Sequence, residues 1–170
     1  MTPQEKYKQQ FTEQYREVHA KFLRYCEVLT GEPESARDLL SDSVLVTLEN
    51  YHKIKKKDAF LSYLIGVARN RFSKHLRHKN KWESIETGRV GDAQDSGADP
   101  SLQADVRFLH EALNQLPEKQ REALILFELS GFSQKEIQAI QGDSLSAVKA
   151  RIVRGREALK QLLIEKKSVA

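Results

Sequence analysis

Two glycines constrain this chain more than any other residues. Gly131 and Gly142 cut the stretch from Leu116 to Leu163 into three lengths of helix-forming composition. Pro117 stands where a helix can spare its first N–H, and Ala123 to Leu129 is apolar nearly all round, which predicts a helix buried on most sides. Gly131 ends it. Ser133 and Glu136 then form an S-x-x-E capping box, opening a short helix that carries Ile137 and Ile140 inward. Gly142 breaks the chain again, and Ser144 is placed to cap a last helix from Leu145 onward.

In that last helix Leu145, Val148, Ile152, Leu159 and Leu162 share one face. At about 100° per residue, Ala147, Ala150, Arg151 and Arg154 gather on a neighbouring face free of large apolar groups. A short helix, a glycine turn and a helix with small or cationic early residues make a helix-turn-helix, whose second helix suits a DNA major groove. The same pattern also fits a three-helix bundle with a solvated basic face.

Charge is segregated along the 170 residues. Residues 1–52 carry 6 Lys/Arg against 9 Asp/Glu, residues 53–82 carry 10 against 1, residues 83–105 carry 1 against 6, and residues 106–170 carry 11 against 8. Such blocks predict several partner surfaces, at least one of them for a polyanion. No apolar run approaches the ~20 residues that span a bilayer, and no signal peptide opens the chain, so a cytoplasmic protein without membrane insertion is expected. Cys26 is the single cysteine; it can form no intrachain disulfide and reads as a packing residue.

The first 82 residues read as three helices. Phe11, Tyr15, Val18, Phe22, Tyr25 and Leu29 recur at steps of three and four, and Gly31 closes that helix. Pro33 opens a second, with Leu40, Val44, Leu48 and Tyr51 as its inward edge. Glu34, Asp38 and Asp42 line its other side; like charges at this spacing repel by a few tenths of a kcal/mol. Taken alone, the row is an ordinary solvated face. A basic loop holding Lys55, Lys56 and Lys57 follows, with Asp58 as N-cap of a third helix whose core seam is Leu61, Leu64, Ala68, Phe72 and Leu76. Arg69, Asn70, Arg71, Lys74 and Arg77 load that helix with charge suited to a phosphate backbone. Residues 83–104, rich in Gly, Pro and acids, read as a flexible acidic linker. Val106, Leu109, Leu113 and Leu116 then line a helix behind the helix-turn-helix.

No stretch alternates with the period of a strand. The expected fold is all-α: two small helical domains, 1–82 and 105–170, joined by the linker, the second a winged-helix-like, four-helix, helix-turn-helix domain. No nucleotide-binding glycine motif and no H-E-x-x-H is present, and His75 and His78 stand among cations that would repel a metal. Neither an enzyme nor a cofactor or metal is expected.

Several segments carry a resemblance. SARDLLSDSVLVTLENY resembles the acidic, Asp-Leu-containing helix of RNA polymerase sigma factors of the sigma-70 family, extracytoplasmic-function (ECF) group. YLIGVARNRFSKHLRH is similar to that family's W-L-x-x-I-A-R-N signature, and Leu116 to Glu122 (L-P-x-x-x-R-E), GFSQKEI and VKARIVRGREAL to its helix-turn-helix. The resemblance covers roughly residues 11–163.

It implies a subunit that recruits core RNA polymerase to promoters. Glu34, Asp38 and Asp42 would dock on the polymerase. Lys55, Lys56, Lys57, Tyr63, Arg69, Asn70, Arg71, Lys74 and Arg77 would bind the −10 element, including a base flipped from the single strand. Ser144, Ser146, Ala147, Lys149, Ala150, Arg151 and Arg154 would engage the double-stranded −35 element. It also leaves room for an anti-sigma partner, and a monomer is expected when free. Departures from the family pattern are Ser41, Tyr63, Gly66, Gln141, Asp143, Ser146, Ala147 and Ala150. The competing reading is a freestanding helix-turn-helix transcriptional regulator.

Overall fold

The computed structural model describes residues 1–85 and 100–169; the linker expectation for 86–99 lies outside the described residues. No strand occurs among them. Residues 83–85 and 100–104, expected in the linker, are helical.

Helix α1 (Pro3–Thr30) starts at a capping box in which Thr2 Oγ1 accepts from Glu5 N and Glu5 returns to Thr2 N. It ends at Gly31, whose φ of 72° only glycine adopts without strain. Phe11, Phe22, Tyr25 and Cys26 are its buried residues. Helix α2 (Pro33–Glu49) begins with Pro33 in its first turn and packs against α1. Its inward edge is shifted from the expected one. Ala36, Leu39, Ser43 and Thr47 are buried, while Leu40, Val44 and Leu48 are half-buried. Two hydroxyls can stand in this edge because each donates back one turn, Ser43 to Leu39 O (2.6 Å) and Thr47 to Ser43 O (2.7 Å).

A 3-10 turn (Tyr51–Lys53) leads to α3 (Lys57–Ile85). Asp58 lies inside the first turn of α3 rather than capping it. Phe60, Leu61, Leu64, Ile65 and Ala68 are buried against α1 and α2. Leu76, expected in the seam, is 40% exposed, because α3 outruns the helices that cover it. Phe11, Tyr51 and Phe60 meet edge to face with centroids 5.5–6.0 Å apart, tying the basic loop to α1.

The second half comprises α4 (Pro100–Asn114), α5 (Glu118–Leu124), α6 (Gln134–Gln141) and α7 (Leu145–Val169). Pro117 is the N-cap of α5. The apolar run expected as one helix changes gait: Ile125–Leu129 is a π-helical turn, where Ser130 N reaches back to Ile125 O (2.9 Å) and Phe132 N to Leu126 O (2.9 Å). Gly131 and Gly142 both adopt positive φ, 81° and 69°. Between them Ser133 Oγ accepts from Glu136 N (3.1 Å) and Glu136 accepts from Ser133 N (2.6 Å). Ser144 Oγ accepts from Ala147 N (3.1 Å), capping α7. Val148, Ile152 and Gly155 form the buried stripe of α7. A Cβ at Gly155 would stand 3.0 Å from Leu124, so glycine is what lets α7 lie this close to α5. Val106, by contrast, is 47% exposed and stands off the core.

The two halves pack on each other. Helix α6 lies against α3, and the π-helical turn against α1. Lys21 bridges to Glu136 (3.2 Å) and sits 5.6 Å from the ring centre of Phe132, while Arg24 Nε donates to Ser130 O at 3.4 Å. One cluster of buried apolar residues runs through both halves.

Candidate nucleic-acid interface

Two cationic faces and one acidic face follow from these elements. The first cationic face is the free length of α3. Asn70, Arg71, Lys74 and Arg77 are exposed there, successive turns of a helix that carries few acids to neutralise them. Lys55, Lys56 and Lys57 are exposed and border an open cleft of about 540 Å³ whose opposite wall is α1, with Glu13 and Glu17. Tyr63 is half-buried.

Arg69 departs from this group. Its guanidinium turns under the second half, where Nη2 is 2.5 Å from Glu122 Oε1, and its Nε is buried with no hydrogen-bond partner among the described residues. The pair lies close enough to the buried Tyr25 to act on its phenol. Burial raises the phenol above its ordinary value, Glu122 adds to the rise, and Arg69 partly opposes it.

The acidic face is as the spacing placed it. Glu34, Asp38 and Asp42 are all exposed. Asp42 also accepts from Arg71 at 3.3 Å, so the acidic and cationic faces touch at that corner; both side chains are open to solvent, and such a pair contributes roughly 0–1 kcal/mol.

The second cationic face is on α7. Ser144, Ser146, Lys149 and Arg154 are exposed, and Ala147 and Ala150 are half-buried beside them. Arg151 is not on this face. Its side chain is 17% exposed, Nη1 donates to Gln141 Oε1 at 2.8 Å and Nη2 lies 2.8 Å from Asp143 Oδ2. Gln141 is itself held by Lys119 O (3.0 Å), and Asp143 also meets Lys119 Nζ (3.1 Å). Hydrogen bonds from Lys119 and Arg151 hold the Asp143 carboxyl below its ordinary range. Gln141 and Asp143 are two of the positions where this chain departs from the family pattern, and together they hold the arginine. The position that sequence reading missed is Val153, 64% exposed among these residues.

Among the described residues no group of three or more His, Cys, Asp or Glu side chains could hold a metal, and no helix is long and apolar enough to cross a membrane.

Comparison with known proteins identifies the family. Residues 11–82 match the Sigma-70 region 2 family and residues 109–159 match Sigma-70, region 4. The chain is 31% identical to the ECF RNA polymerase sigma factor EcfG of Rhodopseudomonas palustris (strain TIE-1) over 137 residues, 79% of this chain and 75% of the relative. It is 34% identical to the RNA polymerase sigma factor CarQ of Myxococcus xanthus over 134 residues, 76% of this chain and 75% of the relative. The fold is similar to that of the sigma factor RpoE in complex with the anti-sigma factor NepR from Bartonella quintana (TM-score 0.60, 25% identity, 91% of this chain and 96% of that one). It is also similar to CnrH in complex with the cytosolic domain of CnrY (TM-score 0.63, 16% identity, 93% and 90%). Matched in both halves, the chain belongs to the extracytoplasmic-function group of the sigma-70 family of RNA polymerase sigma factors, non-enzymatic subunits that direct transcription initiation to promoters.

Proposed function

We propose that the two halves divide promoter recognition between them. Residues 1–82 bind core RNA polymerase through Glu34, Asp38 and Asp42, and the −10 element through Lys55 to Lys57, Tyr63, Asn70, Arg71, Lys74 and Arg77. Residues 105–170 engage the −35 element through Ser144, Ser146, Ala147, Lys149, Ala150 and Arg154, with residues 83–104 between the two. The observation that carries this reading is the presence of two exposed cationic helix faces, one in each half, in a chain of this family. Phosphate contacts from both faces supply affinity, and the polymerase performs the chemistry.

The packing of α6 against α3 adds a step. Elements named −10 and −35 are about 25 base pairs apart, or ~85 Å at 3.4 Å per step. Halves in direct contact cannot reach both elements at once, so the two separate on the polymerase, and Arg69 then joins the −10 face. This takes place in the cytoplasm, with the free chain a monomer. A protein partner that binds the free form is also part of the proposal, since the RpoE neighbour is in complex with the anti-sigma factor NepR.

The test is run-off transcription from fragmented genomic DNA of the source organism, with core polymerase. Discrete transcripts that need this chain, lost with Asp38→Arg and with Lys149→Glu/Arg154→Glu, are expected. Specific retention of DNA fragments by the chain alone, with no new transcripts, would instead establish a freestanding regulator.

A further inference from the structure

The outward face of α7 has an apolar centre. Val153 is 64% exposed, whereas Val148 and Ile152 on the same helix are buried. Turning at about 100° per residue, Val153 falls ~20° from Ser146, with Ala150 ~40° to the other side; Lys149 and Arg154 flank them at ~60° and ~80°. Arg151 lies ~140° from Ser146 by the same count, and Gln141 and Asp143 hold its guanidinium there. Read across, the face runs ammonium, isopropyl, hydroxyl, methyl, guanidinium.

That order fits one kind of base pair. Arginine is the commonest reader of guanine, and the arginine nearest the turn is withheld from this face. The cations at its edges suit phosphates on the two sides of a groove. What remains at the centre is a branched apolar group beside a hydroxyl, and the apolar feature in the major groove is the C5-methyl of thymine. We propose that Val153 is a specificity-determining residue that reads the C5-methyl of a thymine in the −35 element. The proposal rests on the assignment of α7 to that element, and its test separates the two.

Holoenzyme is assembled from core polymerase and the full chain, and −35 sequences are selected by run-off transcription from a library randomised there. Scrambling the selected −35 sequence scores the assignment of α7: if transcription is unchanged, that assignment fails, and the proposal with it. Each selected thymine is then replaced in turn by deoxyuridine, which lacks only the methyl. At one position the wild-type rate is expected to drop about fourfold, the effect of one buried methyl-sized group. Val153→Ser is expected to show that loss already with thymine and no further loss with deoxyuridine, while its response to −10 substitutions stays that of the wild type. Equal deoxyuridine responses from wild type and Val153→Ser, or no methyl-sensitive thymine at all, would overturn the proposal while leaving α7 on the −35 element. Because Val153 is exposed, the variant is expected to keep the wild-type melting curve.

Discussion

Arg69 of α3 and Glu122 of α5, 53 positions apart in the chain, close the seam between the two halves with a contact of 2.5 Å. The Glu122 side chain is 14% exposed and that of Arg69 36%, so the pair is shielded on one side and wet on the other. Glu122→Gln is expected to cost about 1.5–3 kcal/mol, the worth of a charged hydrogen bond, below the ~3–5 kcal/mol of breaking a fully buried pair. Urea denaturation measures that loss. Small-angle scattering should show the free chain expanding, and its affinity for single-stranded −10 DNA should rise as Arg69 is released. An unchanged scattering curve would mean the seam does not depend on this pair.

The same capping motif occurs twice in different settings. Ser133→Ala removes a cap at the start of α6, where Glu136 also bridges to Lys21. A loss of ~1 kcal/mol of unfolding free energy is expected, read as a lower urea midpoint. Thr2→Ala removes the equivalent cap from α1, whose residues 3–10 are all exposed, so that local fraying is nearly free. Its midpoint should not move. Equal losses would contradict the separation of local from global unfolding.

Stability should fall at high pH. Burial, then the charge of Glu27, pushes the Cys26 thiol from an ordinary 9.0 up to about 12, and burial pushes the Tyr15 phenol from 10.0 to about 12. Folding therefore favours the protonated forms. Their contribution is whole below about pH 9 and is lost as pH climbs toward 12, because the unfolded chain releases these protons first. Denaturant midpoints across that range should decline, and Cys26→Ala should flatten the earliest part of the decline. In the folded chain at neutral pH, Cys26 should resist alkylation.

Gly155 sets the distance between α7 and α5. Gly155→Ala would gain ~1 kcal/mol of helix propensity but place a methyl 3.0 Å from the side chain of Leu124, which is 2% exposed and packed in the core. Gly155→Val keeps the clash without the propensity gain, and a loss of about 1–3 kcal/mol is expected from overpacking. Thermal melts measure it. A melting temperature at or above the wild type would mean that Leu124 has room to yield.

The parts of this fold legible in the sequence are those with local causes. Gly131, Gly142, the Ser133–Glu136 box and the stripe from Phe11 to Leu29 each depend on neighbours within a turn or two. What escaped reading depends on distant partners. Ser43 and Thr47 look like surface residues until their hydroxyls are seen bonded one turn back in a buried edge. Leu76 fits the periodicity, yet α3 continues past its cover. Arg69 and Arg151 group with the exposed cations by sequence, because charge is visible there and orientation is not; each is turned away by a carboxylate, Glu122 and Asp143. The signal that could have found the second was present, since Gln141 and Asp143 are among the departures from the family pattern that the resemblance shows.

Under the proposed separation of the halves, the contact of α6 with α3 sets a threshold for activity. A free chain biased toward the closed arrangement by ~1.4 kcal/mol shows about a tenfold weaker apparent affinity for any ligand that needs it open, however well the open faces fit. Promoter output then depends on how much core polymerase is unoccupied, because only differential affinity for the open arrangement can shift the population. Loosening the seam and raising the polymerase concentration should be interchangeable, and a cell could tune one regulon through either.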